Sequence, residues 1–300
     1  MNRIVWGLLS VLVFFLVYYL FVKPFEYDVK FKSNTLPGDL IETIRIWNKS
    51  LDTGRIVQVD SFFTLLQTVD IENRKYSLVW NFKTSNDSAT FVTVQVSESG
   101  KSLLNKLLIP ITHQPIERDI GKLVQEFYDV LKIHLKITKV KIVGEITLDS
   151  TFCLCSSVET TQTDKAYGMM RDFPLLTSFI QEFNLTPSGV PVIRIRDWSH
   201  SRGTLKYDFC FPIVRKGTLP VYDLFFYTYV GGMKVLKAEY YGNYITSDRA
   251  WYELINYANK NGYDVAGFPL EYFHNNPNLG INESEWKADI YLPVLSQSNN

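Results

Sequence analysis

The chain has no excess charge of either sign. Its 300 residues hold 31 Lys and Arg against 31 Asp and Glu. That balance argues against a protein held to nucleic acid by phosphate neutralisation, so no nucleic-acid partner is expected. Cysteine is scarce, with three residues: Cys153, Cys155 and Cys210. None stands in a CxxC or Cys/His spacing that would hold zinc, so no metal is expected. Cys153 and Cys155 share a strand face and read as small core residues, and no disulfide framework is indicated. A Gly-rich phosphate loop is missing, and no cofactor is expected. The loop Asp197–Gly203 contains Ser and His but no strained nucleophile turn, so a hydrolase triad is poorly supported. Low-complexity tracts are also missing, and the length points to two folded domains. What the chain has in quantity is aromatic residues: 20 Phe, 18 Tyr and 6 Trp. Large β cores and ligand cavities both use them.

One hydrophobic run stands apart. Ile4–Val22 is 19 residues without a charge. As a helix it spans roughly 28 Å, close to a bilayer core. It ends in bulky Tyr-Tyr-Leu-Phe-Val rather than the small residues of a signal-peptide cleavage site, so residues 1–23 read as a retained transmembrane anchor. Tyr18, Tyr19 and Lys23 suit the interface. Counting basic residues favours an inside C-terminal part, whereas short amino-terminal anchors in bacteria often place the following domain outside. The balance leans to the outside.

Residues 24–137 read as a first soluble domain. Tyr27–Lys32 alternates as a strand, and Pro37–Leu51 fits a helix with Leu40, Ile44 and Trp47 on one stripe. Strand-rich segments follow at Ile56–Thr68, Lys75–Lys83 and Thr90–Ser97. Turn chemistry separates them at Glu72-Asn73 and at Ser85-Asn86-Asp87. A long amphipathic helix closes the domain near Ile116–Ile137, with Ile116, Ile120, Leu123, Val124, Phe127, Leu131 and His134 at helical spacing. This is the helix-grip order. Val79–Val96 resembles the START-like, or polyketide-cyclase-like (SRPBCC), superfamily, which implies a cavity between the long helix and the sheet. His113 and His134 lie far apart, with no evident partner carboxylate.

Residues 138–294 contain an internal repeat. The first copy runs strand Thr151–Val158, helix Asp164–Phe183, strand Gly189–Trp198, strand Thr204–Ile213. The second runs strand Met233–Tyr241, helix Asp248–Gly262, strand Gly267–Phe273, strand Lys287–Val294. YDFCFPI (207–213) aligns with ADIYLPV (288–294), matching Asp208 to Asp289 and Pro212 to Pro293. Gly189-x-Pro191 matches Gly267-x-Pro269. A spacing of about eighty residues between copies at each anchor makes coincidence improbable. Each copy is βαββ, and two copies can share one antiparallel sheet with both helices on one face. The other face would then be free to form a groove. Pro174 lies inside the first helical pattern and is expected to kink or split it. Residues 295–300 are a tail. The expected class is α+β: a transmembrane helix, a helix-grip domain and a duplicated βαββ antiparallel-sheet domain.

The Gly-x-Pro strands, Gly242–Tyr244 before the second helix, GFPLEYF and the closing Leu-Pro-Val resemble the GyrI-like small-molecule-binding domain, the bacterial effector-binding domain of drug-responsive regulators. The resemblance implies that Glu271 lies at the base of an aromatic pocket and attracts cationic or polarised ligands; in some stand-alone members that acid takes part in hydrolysis. The family's regulators carry a helix-turn-helix, which does not precede this domain here. Residue chemistry bears independently on Glu271. Alternation puts it on a strand face with Pro269 and Phe273, and the first copy has Ile193 in its place. A carboxylate on an apolar face is costly unless it is paired, protonated or matched to a ligand. Pairing at a strand end with Lys287 is the plainer alternative. Candidate wall residues are Tyr207, Phe209, Trp198, Tyr240 and Tyr291. Arg194, Arg196 and Arg202 read as a solvated face. Three readings stand: a membrane-anchored protein binding an aromatic or cationic small molecule over Glu271; a hydrolase with Glu271 as acid or base; and an interaction module whose groove is filled by its own side chains.

Overall fold

Apolar residues at the amino terminus wind into helix α1 (Asn2–Val17), and Tyr18–Val22 widen into a π turn. None of the apolar window Ile4–Val22 is buried within the protein. The computed structural model describes residues 2–60, 62–85, 89–277, 280 and 282–295. Asn86 and Asp87 of the second expected turn, and residues 296–300 of the tail, lie outside the described residues. The chain divides into two compact units, between Lys132 and Ile133.

In the first unit, β1 (Tyr27–Ser33) and α2 (Pro37–Asn48) precede a run of strands: β2 (Arg55–Asp60), β3 (Thr64–Ile71), β4 (Arg74–Ser85) and β5 (Ala89–Glu98). They form one antiparallel sheet in the order β1-β5-β4-β3-β2. The single segment expected at Ile56–Thr68 is therefore two strands, with a turn in which the Phe63 amide donates to the Asp60 carbonyl. Glu72 and Asn73 both take positive φ, as a tight hairpin demands. Two helices end the unit: the short α3 (Ser102–Leu108), which periodicity did not reveal, and the long α4 (Pro115–Ile137), whose last turn runs into the second unit. The α4 stripe from Ile116 to Leu131 is buried as expected. Phe127 of that stripe meets Trp47 and Trp80 with ring centroids 5.3 and 5.1 Å apart. Gln67, fully buried, accepts from the Trp80 indole and donates to Asn48. Aromatic rings thus pack between the long helix and the sheet, where the START-like resemblance implies a cavity.

Glu26 enters this unit buried, with Oε2 accepting from the Glu98 amide at 2.7 Å. Burial raises its pKa above the ordinary 4.5, against the pull of Ser102, the Glu98 amide and Lys106. The folded state therefore holds the proton more tightly than the unfolded chain. The contribution of Glu26 to stability is largest below pH 4.5 and is lost as pH rises through the folded-state pKa. Glu26→Gln removes that fall. Denaturation of both proteins across this window should give curves that converge at low pH and separate, in the variant's favour, as pH rises.

The second unit is an eight-stranded antiparallel sheet: β6 (Lys139–Leu148), β7 (Thr151–Thr161), β8 (Val192–Ser199), β9 (Thr204–Pro212), β10 (Phe226–Val230), β11 (Met233–Tyr241), β12 (Leu270–Phe273) and β13 (Lys287–Pro293). The order is β10-β7-β9-β8-β12-β13-β11-β6. The two βαββ copies join where β8 pairs β12, and there Glu271 lies opposite Ile193, Leu270 opposite Arg194 and Tyr272 opposite Val192. Glu271 and its repeat counterpart Ile193 are thus direct neighbours, and the positions flanking them pair crosswise, as about a pseudo-two-fold axis. Helices α5 (Lys165–Glu182) and α6 (Arg249–Lys260) pack on one face over a shared core that includes Tyr207, Phe209, Trp251, Leu254 and Ile290. α5 runs through Pro174 as one helix, so the expected split does not occur.

The opposite face corrects two readings. Cys155 and Cys210 form a disulfide, because the β7–β9 register places them directly opposite, with Cα atoms 4.1 Å apart. Cys153 remains a buried thiol, and burial pushes its pKa up to about 12. Arg194 and Arg196 are not merely solvated: both clamp the fully buried Asp208 carboxylate, at 2.6 and 2.9 Å. Asp289, its counterpart, is held by Lys237 and His274, each at 3.0 Å. Burial alone would raise the Asp289 pKa, but these two partners bring it below the ordinary value.

Candidate functional site

β12 is a short central strand, so an inward side chain at its middle has neighbours on every side. Glu271 is fully buried, with Ile193 and Ile290 opposite it on the flanking strands. Alternation turns it towards the helices. The open face was the expected place for a groove, but Glu271 lies on the helix-covered face. The reason is the register: Ile193, its partner position, belongs to the helix-side core.

Three donors meet the carboxylate there. Lys165, the first residue of α5, places Nζ 2.7 and 2.8 Å from Oε1 and Oε2. The Ser247 hydroxyl lies 3.1 and 3.0 Å from the same oxygens. Trp251 of α6 donates its indole N–H to Oε1 at 2.6 Å. The Lys165 ammonium also donates to Ser247 Oγ at 2.7 Å, so its three N–H groups all have acceptors. It sits 4.7 Å from the Trp251 ring centroid, a cation–π arrangement. Both charges of this pair are wholly removed from solvent. The cost of taking two ions out of water is offset only when geometry and hydrogen bonding are this complete.

A second polar layer joins the helix starts. Gln162 donates to Asp248 and, at 2.9 Å, to the Tyr252 hydroxyl, and accepts from the Trp198 indole at 2.7 Å. Trp198 stands edge-on to Trp251, with centroids 5.2 Å apart. Trp198 is therefore beside the Glu271 cluster. Tyr207 is part of it through the backbone, donating its hydroxyl to the Lys165 carbonyl at 2.8 Å. Burial raises the phenol's pKa. The close fit here requires Gly168: a Cβ on it would lie 2.2 Å from the Tyr207 oxygen.

The remaining candidates fall elsewhere. Phe209 is core, packed edge-on to Phe211 at 5.4 Å. Tyr240 is buried and ties the start of the second copy's helical segment, bonding the Asn243 carbonyl and Thr246 at 2.8 Å. Tyr291 is a correction. It lies on the sheet face away from the helices, against Tyr272 at 5.1 Å, because its register partner is Leu270 rather than Glu271. Lys287, considered as a partner for Glu271, pairs instead with Glu239 at 2.8 Å. Lys165 was missed. The signal was its place one turn before Met169 on the buried stripe of α5. A surface concavity of about 460 Å³ exists in this unit, but it lies at the β6–β11 edge and has no part of the Glu271 cluster.

A search of curated proteins gives no match. Among solved structures, the C-terminal domain of EcmrR is similar at 15% identity and a TM-score of 0.44, covering 53% of this chain and 97% of that one. A hydrolase from Listeria innocua is similar at 11% identity and a TM-score of 0.36, covering 52% and 92%. SAV2435, solved bound to tetraphenylphosphonium, is similar at 10% identity and a TM-score of 0.34, covering 53% and 94%. The family model of the GyrI-like small molecule binding domain matches residues 192–295, the stretch that holds Glu271, Ser247 and Trp251. The second unit of this chain therefore carries a GyrI-like domain.

Proposed function

We propose that this is a membrane-anchored small-molecule-binding protein whose second unit takes an organic cation onto Glu271 in exchange for the chain's own Lys165 ammonium. One observation carries the reading: the single carboxylate on an apolar strand face already holds an ammonium, seated against an indole ring. Those are the parts of a cation site, and Lys165 stands in for its ligand. All three N–H groups of that ammonium are used, so a primary amine on an aromatic body matches the site better than a quaternary cation does. Hydrolysis by Glu271 is less well supported, since both of its oxygens are met by donors. The apolar run Ile4–Val22 supports the anchor, and the Cys155–Cys210 disulfide supports exposure of the second unit to an oxidising compartment.

Calorimetry with phenethylamine on the full chain in detergent tests this. Lys165→Ala should bind the amine, and the natural protein should bind it at least tenfold more weakly because Lys165 competes. Adding Glu271→Gln to Lys165→Ala should abolish the gain. Equal affinity with and without the carboxylate would refute the site. The full burial of Lys165 and Glu271 also fits a second reading, in which the pair only builds the fold and the unit serves as an interaction module. Absence of binding to either protein would select it.

A further inference from the structure

Helix α3 is inside out. Its buried residues are Asn105 and Lys106, 3% and 4% exposed, whereas Leu103, Leu104 and Leu107 are about half exposed. The three leucines fall within an arc of about 100° on the helix. Ile111, just beyond the helix, is a further apolar side chain left in the open, at 77% exposure. A helix facing water arranges these residue types the other way round. The polar side is engaged: Asn105 donates to Glu98 at 2.9 Å. Lys106 reaches the carboxyl end of the apolar amino-terminal segment, donating to the carbonyls of Leu20 and Lys23. Tyr19 donates its hydroxyl back to the Lys106 carbonyl at 3.2 Å.

These bonds fix the level of α3. A membrane helix leaves its last carbonyls unpaired, and a cation at that end is favourable. Tyr19 and Lys23 are residue types found at the boundary between headgroups and acyl chains. Bound directly to this point, α3 lies at the same boundary, with its leucines facing outward. We propose that α3 and Ile111 form a second membrane contact: Leu103, Leu104, Leu107 and Ile111 insert shallowly into the lipid surface beside α1. The inference rests on reading α1 as the anchor. An apolar face at that level reaches some 5–10 Å into the leaflet, enough to hold the first unit against the surface.

The test uses the full chain in phosphatidylcholine–phosphatidylglycerol vesicles, with an NBD fluorophore on one introduced cysteine at a time. Leu107→Cys reports α3, Val57→Cys on exposed β2 is the water-side control, and Leu12→Cys reports α1. Cys153 is buried and stays unlabelled in the folded chain. The label at position 107 should emit to the blue of that at position 57 and be quenched several-fold more by shallow spin-labelled lipid. Equal iodide quenching at 107 and 57, with no lipid quenching at 107, would overturn the inference and leave the anchor standing. A blue shift at 107 without lipid quenching would also overturn it, assigning the face to another protein surface. Loss of lipid quenching at position 12 would remove the anchor and the inference together.

Discussion

Replacing Lys165 by Met lowers the unfolding free energy by about 3–5 kcal/mol, the cost of leaving one partner of a buried ion pair without the other. The expectation follows from burial: neither side chain touches solvent, so no water is at hand to take over the lost contacts. The Glu271 carboxylate would keep the Trp251 indole and the Ser247 hydroxyl, but no counter-charge. Lys165→Met with Glu271→Leu should recover most of the loss, because apolar replacements of a buried pair are often nearly neutral. Recovery stays incomplete. The Trp251 N–H loses its acceptor, which costs about 1–3 kcal/mol. Chemical denaturation of the single and double variants, followed by tryptophan fluorescence, gives the coupling directly. A loss below about 1 kcal/mol for Lys165→Met would mean that the pair behaves as a surface ion pair. Lys165→Ala, which vacates the site, links stability to binding: an amine present at a hundred times its Kd should restore about 2.7 kcal/mol.

Phe127→Ala should destabilise the first unit by about 3–5 kcal/mol. Phe127 is fully buried on α4, and its ring touches those of Trp47, Trp80 and Phe31. These neighbours belong to α2, β4 and β1, so one ring ties the long helix to the sheet and to the other helix. Truncation leaves a cavity that rigid aromatic neighbours cannot collapse into. The measurement is the urea midpoint in detergent at unchanged slope. A midpoint within error of the natural protein would show that the helix is held by its flanking aliphatic stripe instead.

Much of the architecture was legible because it rests on periodicity. The α4 stripe and the two βαββ copies both follow from spacing along the chain. What escaped depends on contacts between distant segments. The disulfide needs the β7–β9 register, which no local pattern encodes. Lys165 meets Glu271 across 106 positions, and a lysine at a helix start ordinarily reads as solvated. Glu271 was placed on the open face because which side of β12 the helices cover is decided by their packing, not by the alternation of β12. Tyr291 was grouped with Tyr207 for the same reason: residue type marked both as wall candidates, and only strand pairing separates them. Helix α3 was invisible because its pattern is inverted, and a search for buried leucine stripes passes over one that points outward.

The pairing of Glu271 with Ile193 has a bearing on how many molecules the site can take. In two identical βαββ units joined in this way, each of these residues would lie opposite its own twin. Two acids in that position would confront one another in an apolar core, and two isoleucines would offer no charge. Joined in one chain, the halves are free to differ, and one acid can lie on the symmetry axis. Saturation of the second unit is therefore expected at a single amine per polypeptide, despite its doubled architecture.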